Sequence, residues 1–214
     1  MPELPEVETT RRGVAPWLEG VRVTGVELRQ PRLRWPVPRR LVQELPGRVV
    51  LHAERRGKYL LFRAEGDRTL MMHLGMSGSL RVLPAPRPPG PHDHLDIELE
   101  SGRVLRFHDP RRFGSADWFA GDPLQHPLLR ELGPEPLGAE FTPSYLAAAC
   151  HGRRVAIKQH IMNGRVVVGV GNIYASEALF RAGIHPSRAA GRVSAARLEQ
   201  LVGAIRAVLA SAAQ

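Results

Sequence analysis

The sequence predicts an α+β chain in which an antiparallel β-sandwich or barrel comes first and a small helical domain follows. Three observations carry this. Residues 21–109 hold short segments rich in Val, Leu, Ile and Phe, separated by turn residues; the apolar period becomes helical beyond about residue 140; and a stretch of repeated Pro and Gly lies between. The strand segments are, in order, "VRVTGVELR", "VVLHAE", "YLLFRAE", "TLMMHL", "SLRVL", "LDIELESG" and "RVLRFHD", with "ESGR" as a hairpin turn. The stretch "PAPRPPGPHD" is a loop, because proline cannot donate to a central ladder.

The domain limits follow from the same pattern: residues 1–117 as the first domain, 118–136 as the connection and 137–214 as the second domain. In the second, Thr142-Pro143 predicts a helix start, "RRVAIKQHIMNG" predicts a helix closed by Asn163-Gly164, and Ser194 caps a last helix. There Leu198, Leu201, Val202, Ile205, Val208 and Leu209 recur at the i, i+3, i+4, i+7 spacing of a buried face.

Composition bounds the function. The 214 residues, 43% hydrophobic and 24% charged, suffice for a real core. No apolar run approaches the roughly 18 residues of a membrane span, and Glu and Pro stand where a signal peptide would have a basic and an apolar region. A cytoplasmic protein without a membrane partner is expected. The single cysteine, Cys150, fits a reducing compartment and rules out a disulfide framework within this sequence. Thirty basic against 21 acidic residues give +9, with Arg pairs at 11, 39, 55, 111 and 153, which points to a polyanion such as nucleic acid, although an arginine-rich solvated face would look similar. Only Lys58 and Lys158 are lysines. An amine is a compact charge that can change protonation when buried, so these two are candidates for chemistry.

The first ten residues, "MPELPEVETT", suit a helix start, with proline in the first turn and Glu3, Glu6 and Glu8 at the positive end of the dipole. In "VVVGVGNIYASEALF" an apolar run breaks at Gly169 and Gly171 and a helix begins near Asn172. Such a turn can present N–H groups to an anion, but taken alone it reads as an ordinary helix-to-helix turn, and it lacks the spacing of a nucleotide fingerprint.

Taken together, "MPELPEVET", "RRGKYLLF", "HLGMSGSLR", "HDPRRFG", "LGPEPL" and "VGVGNIYASEALFRAGIHP" resemble the bacterial formamidopyrimidine-DNA glycosylase family in order and spacing, over essentially the whole chain. The resemblance implies an N-terminal helix on an antiparallel β-sandwich, then a helix–two-turns–helix domain. It implies base-excision repair: removal of oxidised purines (8-oxoguanine, formamidopyrimidines) and AP lyase cleavage by elimination. Its partner would be damaged double-stranded DNA, bound by a monomer in the cytoplasm, at the nucleoid.

On that resemblance Pro2, freed by removal of Met1, is the nucleophile that attacks the sugar C1′ and forms a cationic iminium. An α-amino group titrates near neutrality, which leaves free base for attack. Glu3 is the general acid/base, Glu6 helps to hold the amine, and Lys58 contacts the DNA backbone and assists the sugar chemistry. Met76, Arg111 and Phe113 match the residues that fill the gap left by the extruded nucleotide: an apolar probe, a cation for the orphaned base and an aromatic wedge. His73 and Asn172 match phosphate contacts, and Lys158 a helical-domain lysine facing the lesion or its backbone.

The sequence departs from the family at its end. Members continue into a lesion-contacting loop and a four-cysteine zinc finger, whereas this sequence stops at "VLASAAQ". No metal ligand and no cofactor are therefore expected within these residues, which are read either as a fragment or as a natural or engineered truncation with weakened DNA binding. Two other functions fit the residues: a noncatalytic damaged-DNA-binding module, and an endonuclease VIII-like glycosylase for oxidised pyrimidines.

Overall fold

The computed structural model describes residues 2–213. The chain divides into two compact units: Pro2 with Val7–His126, and Glu3–Glu6 with the chain from Pro127 onward. The N-terminal helix α1 (Leu4–Leu18) begins in one and continues in the other.

The first unit is a sandwich of two four-stranded antiparallel sheets. β1 (Val23–Leu28), β6 (Asp93–Leu99), β7 (Val104–His108) and β5 (Ser79–Leu83) form one, in the order β1-β6-β7-β5. β2 (Val50–Arg56), β3 (Tyr59–Ala64), β4 (Arg68–His73) and β8 (Ser115–Ala120) form the other, in the order β2-β3-β4-β8. Alternating positions of both sheets bury Leu60, Phe62, Leu70, Met72, Leu95, Ile97, Phe107 and Trp118, and α1 adds Val7, Val14 and Leu18. Two elements depart from the sequence expectation. β8 pairs with β4 along its whole length and runs across position 117, in a stretch that reads as mixed because "SADWFA" carries a charge and sits between glycines. The helix α2 (Arg40–Glu44) is too short to show a period.

In the second unit, α3 (Pro143–Cys150) starts where expected: the Thr142 hydroxyl accepts from the Tyr145 N–H at 3.1 Å. The helix expected over "RRVAIKQHIMNG" is one short turn, α4 (Ile157–Ile161). Its first half is extended instead, because Ala156 bridges Ala189 and the Ile157 N–H donates to the Arg188 carbonyl. The last helices are α5 (Asn172–Arg181) and α6 (Ala195–Ala212), capped by Ser194, and all six apolar positions expected along α6 are buried. They pack with Phe141, Leu146, Ile157, Ile161 and Leu179, and with Leu4 from the start of α1.

Candidate functional site

The residues singled out in the sequence fall into two groups. In the second unit, Glu3 directly precedes α1 and is buried, at 3% exposure. One carboxylate oxygen, Oε1, accepts from the Ile173 N–H at 2.9 Å. The other, Oε2, accepts from Gly171 at 3.0 Å and Tyr174 at 3.3 Å. The carboxylate therefore sits on the N-terminus of α5, where orphan N–H groups and the helix dipole both favour a negative charge. This corrects the expectation that the Gly-x-Gly turn offers backbone donors to a phosphate: those three N–H groups are taken by Glu3. Asn172 itself presents an exposed side chain.

The same arrangement explains both glycines. A Cβ on Gly171 would lie 2.3 Å from the Glu3 carboxyl carbon, and one on Gly169 would lie 2.5 Å from Leu4 Cδ1. Gly169 also has φ +80 and accepts the Leu4 N–H on its carbonyl at 3.1 Å. The glycines serve a close approach by a segment some 165 residues earlier in the chain. Glu6 closes the cluster. Its Oε2 accepts from the Glu3 N–H at 2.9 Å, as in a capping box, and its Oε1 accepts from the Tyr174 hydroxyl at 2.8 Å. Burial, then the adjacent Glu6, push the Tyr174 hydroxyl up to about 12, so it remains a donor at neutral pH. Tyr174 escapes sequence reading because nothing local marks it. Lys158 is half-buried on α4, and its amine makes no hydrogen bond or ion pair among the described residues.

The first unit holds Pro2, Lys58, His73, Met76, Arg111 and Phe113. Pro2 is half-buried; the expected loss of Met1 falls outside the described residues. Lys58 stands at the β2–β3 turn, and β4 ends at His73. His73, Met76, Arg111 and Phe113 line one open cavity of about 700 Å³, together with Arg34. Met76 is 42% and Phe113 44% exposed, and the Arg111 guanidinium lies 4.8 Å from the Phe113 ring centre.

The loops bearing these side chains are locked together by Asp109, which is fully buried. Its Oδ1 accepts from the Ser77 hydroxyl at 2.8 Å, and its Oδ2 accepts from the Gly114 N–H at 2.8 Å. Gly75 has φ +67, and a Cβ there would lie 2.4 Å from the Gly114 nitrogen, so the loops touch backbone to backbone. Asp109 belongs to the "HDPRRFG" stretch, yet only the fold reveals its role.

His73 is held neutral. Burial first, then the nearby Arg34 and Lys58 charges, lower its ring to about 4. Its Nδ1 accepts the Gly75 N–H at 3.0 Å, so the ring proton resides on Nε2, which is left as a donor. Glu8, the third carboxylate of the opening stretch, has a different task. It binds Arg11 at 2.7 Å, Arg12 at 2.9 Å and Arg55 at 3.1 Å, and its carboxyl is held down to about 2, chiefly by the hydrogen bond from Arg11.

The formamidopyrimidine-DNA glycosylase N-terminal domain matches residues 1–116, and the formamidopyrimidine-DNA glycosylase H2TH domain matches residues 132–214. The chain belongs to the formamidopyrimidine-DNA glycosylase family. It is 57% identical to the formamidopyrimidine-DNA glycosylase of Alkalilimnicola ehrlichii and 59% identical to that of Thioalkalivibrio sulfidiphilus, each over 99% of this chain and 78% of the relative. Among solved structures it is similar to the MutM (Fpg) protein of Thermus thermophilus, with 40% identity and a TM-score of 0.88 over 99% of this chain and 76% of that one. It is also similar to the Lactococcus lactis Fpg in complex with an abasic site containing DNA, with 31% identity and a TM-score of 0.92 over 99% and 78%. The fold of this family is the N-terminal helix, antiparallel sandwich and helical region seen here. The single cysteine of the sequence, Cys150, is buried, and burial pushes its thiol up to about 11. Among the described residues no group of three or more His, Cys, Asp or Glu could hold a metal, and no helix is long and apolar enough to cross a membrane.

Proposed function

We propose that this chain is a bifunctional base-excision glycosylase that acts on oxidised purines in double-stranded DNA. The Pro2 amine attacks C1′ as the C1′–base bond breaks and the damaged base leaves with a proton. The new ammonium loses its proton, the C1′–O4′ bond then breaks as O4′ is protonated, which leaves a Pro2–C1′ iminium, and removal of a C2′ proton expels the 3′ phosphate by elimination. Glu3 carries protons at the sugar ring. Lys58, His73, Asn172 and Lys158 hold phosphates, and Met76, Arg111 and Phe113 fill the gap in the stack. The frame for this assignment comes from family membership; its strongest support in the chain itself is the anchoring of Glu3. Three N–H groups fix that carboxylate, and the residue they fix is covalently next to the proposed nucleophile.

Glu3 has one bond on Oε1, which leaves that oxygen a lone pair for a proton. His73 supports the phosphate role, because a neutral ring with its proton on Nε2 donates to phosphate without adding charge to a cleft already rich in arginine.

The test is borohydride trapping on abasic duplex DNA, with the intact mass measured in parallel. Protein beginning at Pro2 is expected to form a covalent adduct, and Pro2→Gly to trap more weakly, since a primary amine gives a less obligately cationic product. Full trapping by protein that retains Met1 would remove Pro2 as the nucleophile. Binding without any adduct would leave a noncatalytic damaged-DNA module, and excision of thymine glycol in preference to 8-oxoguanine would move the substrate class to oxidised pyrimidines.

A further inference from the structure

A second arginine–aromatic pair borders the cavity that holds Arg111 and Phe113. In the loop between β1 and α2, Arg34 lines that cavity, and its guanidinium lies 5.3 Å from the centre of the Trp35 ring. Trp35 is 50% exposed, whereas Trp118 is fully buried. A tryptophan left half in water costs hydrophobic stabilisation that burial would supply, so its exposure calls for a use.

The loop is built to hold the pair outward. Leu33 and Val37 are buried beneath it, at 6% and 3% exposure, while Arg34 and Trp35 between them are exposed. Arg32 bridges Pro36, and the Val37 N–H donates to the Pro31 carbonyl at 2.8 Å, which closes the loop on itself. The Arg34 N–H donates to the Gly114 carbonyl at 3.0 Å, next to Phe113. The loop is therefore tied at its backbone to the wedge loop. Arg34 has no carboxylate partner among the described residues, unlike Arg29, Arg55 and Arg106. Its charge is close enough to His73 to lower that ring.

We infer that Arg34 and Trp35 form a nucleotide subsite beside the wedge, in which Trp35 stacks on an unstacked base of the DNA and Arg34 binds its phosphate. The inference rests on the DNA-binding reading above. An aromatic face with an adjacent guanidinium is the unit by which proteins hold unpaired nucleotides: every base has a π-face, and the cation neutralises the phosphate that comes with it. Here the unit would take a base loosened from its stack next to the gap that Met76, Arg111 and Phe113 fill. The binding cost of unstacking is lowered when the loosened base finds a new face.

The experiment uses the whole chain carrying Trp17→Phe, so that Trp35 is the exposed emitter and Trp118 a constant background. Titration with a duplex holding a tetrahydrofuran abasic analogue is expected to quench the emission to saturation. Trp35→Phe should keep affinity within about 3-fold and Trp35→Leu lose about 5-fold or more, because Leu offers bulk but no π-face. Arg34→Gln should reduce the log–log salt slope by about 0.9, one phosphate. Trp35→Leu binding within two-fold of its parent, or Trp35→Phe falling as far as Trp35→Leu, would overturn the inference while leaving DNA binding intact. If Trp35→Leu fails to fold, the parent decides: binding without quenching overturns it. A parent that does not bind the abasic duplex at all overturns the functional reading, and this inference with it.

Discussion

The carboxylate seat of Glu3 and the cleft around Phe113 are built on opposite plans. Around Glu3 the donors of α5 are met by one buried side chain, and glycines remove whatever would stand between them. Around Phe113 the backbone is just as firmly tied, through Asp109, but the side chains are not: an apolar probe, an aromatic ring and several cations face open space. A closed polar cluster fixes one geometry at high cost if disturbed. An open cleft with a rigid frame and unmet side chains stores its contacts for a ligand. Stability and function should therefore separate between the two places.

The largest effect is expected where the seat is closed. Gly171→Ala places a methyl 2.3 Å from the Glu3 carboxyl carbon, at a φ of −116 that alanine adopts freely, so the damage comes from the collision alone. Glu3 must leave, and three hydrogen bonds to a buried carboxylate go with it. A loss of about 3 kcal/mol or more in urea unfolding is expected, since each bond to a charged group contributes roughly 1.5 to 3 kcal/mol. Excision should fall by about 100-fold or more, the usual scale for a misplaced acid/base group. A stable, active Gly171→Ala protein would show that the seat is dispensable. For the same reason Glu3→Gln does not isolate proton transfer: an amide would turn an NH2 toward one of the N–H donors that the carboxylate now accepts.

How much of this was legible in the sequence depends on the range of the interaction. Seven strands, the Thr142 and Ser194 caps and the buried face of α6 are local patterns and could be read directly. β8 hid behind Asp117 and its flanking glycines, and α4 is short because its first half pairs with residues near 189, about thirty positions on. The site is dominated by such distant pairings. "VGVGN" suggests an anion at a helix start, but not that the anion is the chain's own Glu3. Nothing in "HDPRRFG" says that Asp109 will fasten Ser77 to Gly114, and nothing local sets Arg34 and Trp35 apart; the burial of Leu33 and Val37 on either side is what shows the pair held outward.

A smaller effect is expected from pH, and it sharpens the contrast from the side of the cleft. His73 titrates at about 4 in the folded protein against 6.5 ordinarily, because burial and two cations oppose its charge. As pH falls below 6.5 the unfolded chain takes up the proton first, so the folded state loses stability progressively down to about 4 and no further from this group. The loss should reach about 3 kcal/mol, at about 1.4 kcal/mol for each unit between 6.5 and 4. His73→Gln should flatten the stability profile between pH 6.5 and 4, and NMR of the ring should show it neutral, with the proton on Nε2, at about pH 6. A ring that is already charged there would mean that Arg34 and Lys58 do not face it as described. Bound phosphate would counter those cations and should raise the ring's titration point. The cleft should thus couple proton uptake to DNA binding through His73.

The smallest effect on stability, and the clearest separation of the two plans, is expected at Phe113. Its ring is 44% exposed and lies against the Arg111 guanidinium, and the backbone beneath it is held by Asp109 through the Gly114 N–H, not by the ring. Phe113→Ala removes exposed apolar surface and one solvated cation–π contact of about 0.5 to 1 kcal/mol, so the unfolding free energy should change by less than about 0.5 kcal/mol after the gain from exposing less apolar surface is counted. Binding should respond quite differently. A wedge is needed only when a base has left the stack, so affinity for an abasic duplex should drop by about tenfold while affinity for intact duplex stays within two- to threefold. The discriminating measurement is the ratio of the two affinities, taken at one salt concentration so that the phosphate contacts cancel. If instead Phe113→Ala unfolds the first unit, the ring is part of the core and the cleft is as closed as the seat. If it lowers both affinities equally, Phe113 supports the backbone contacts and the gap is filled by Met76 and Arg111 alone.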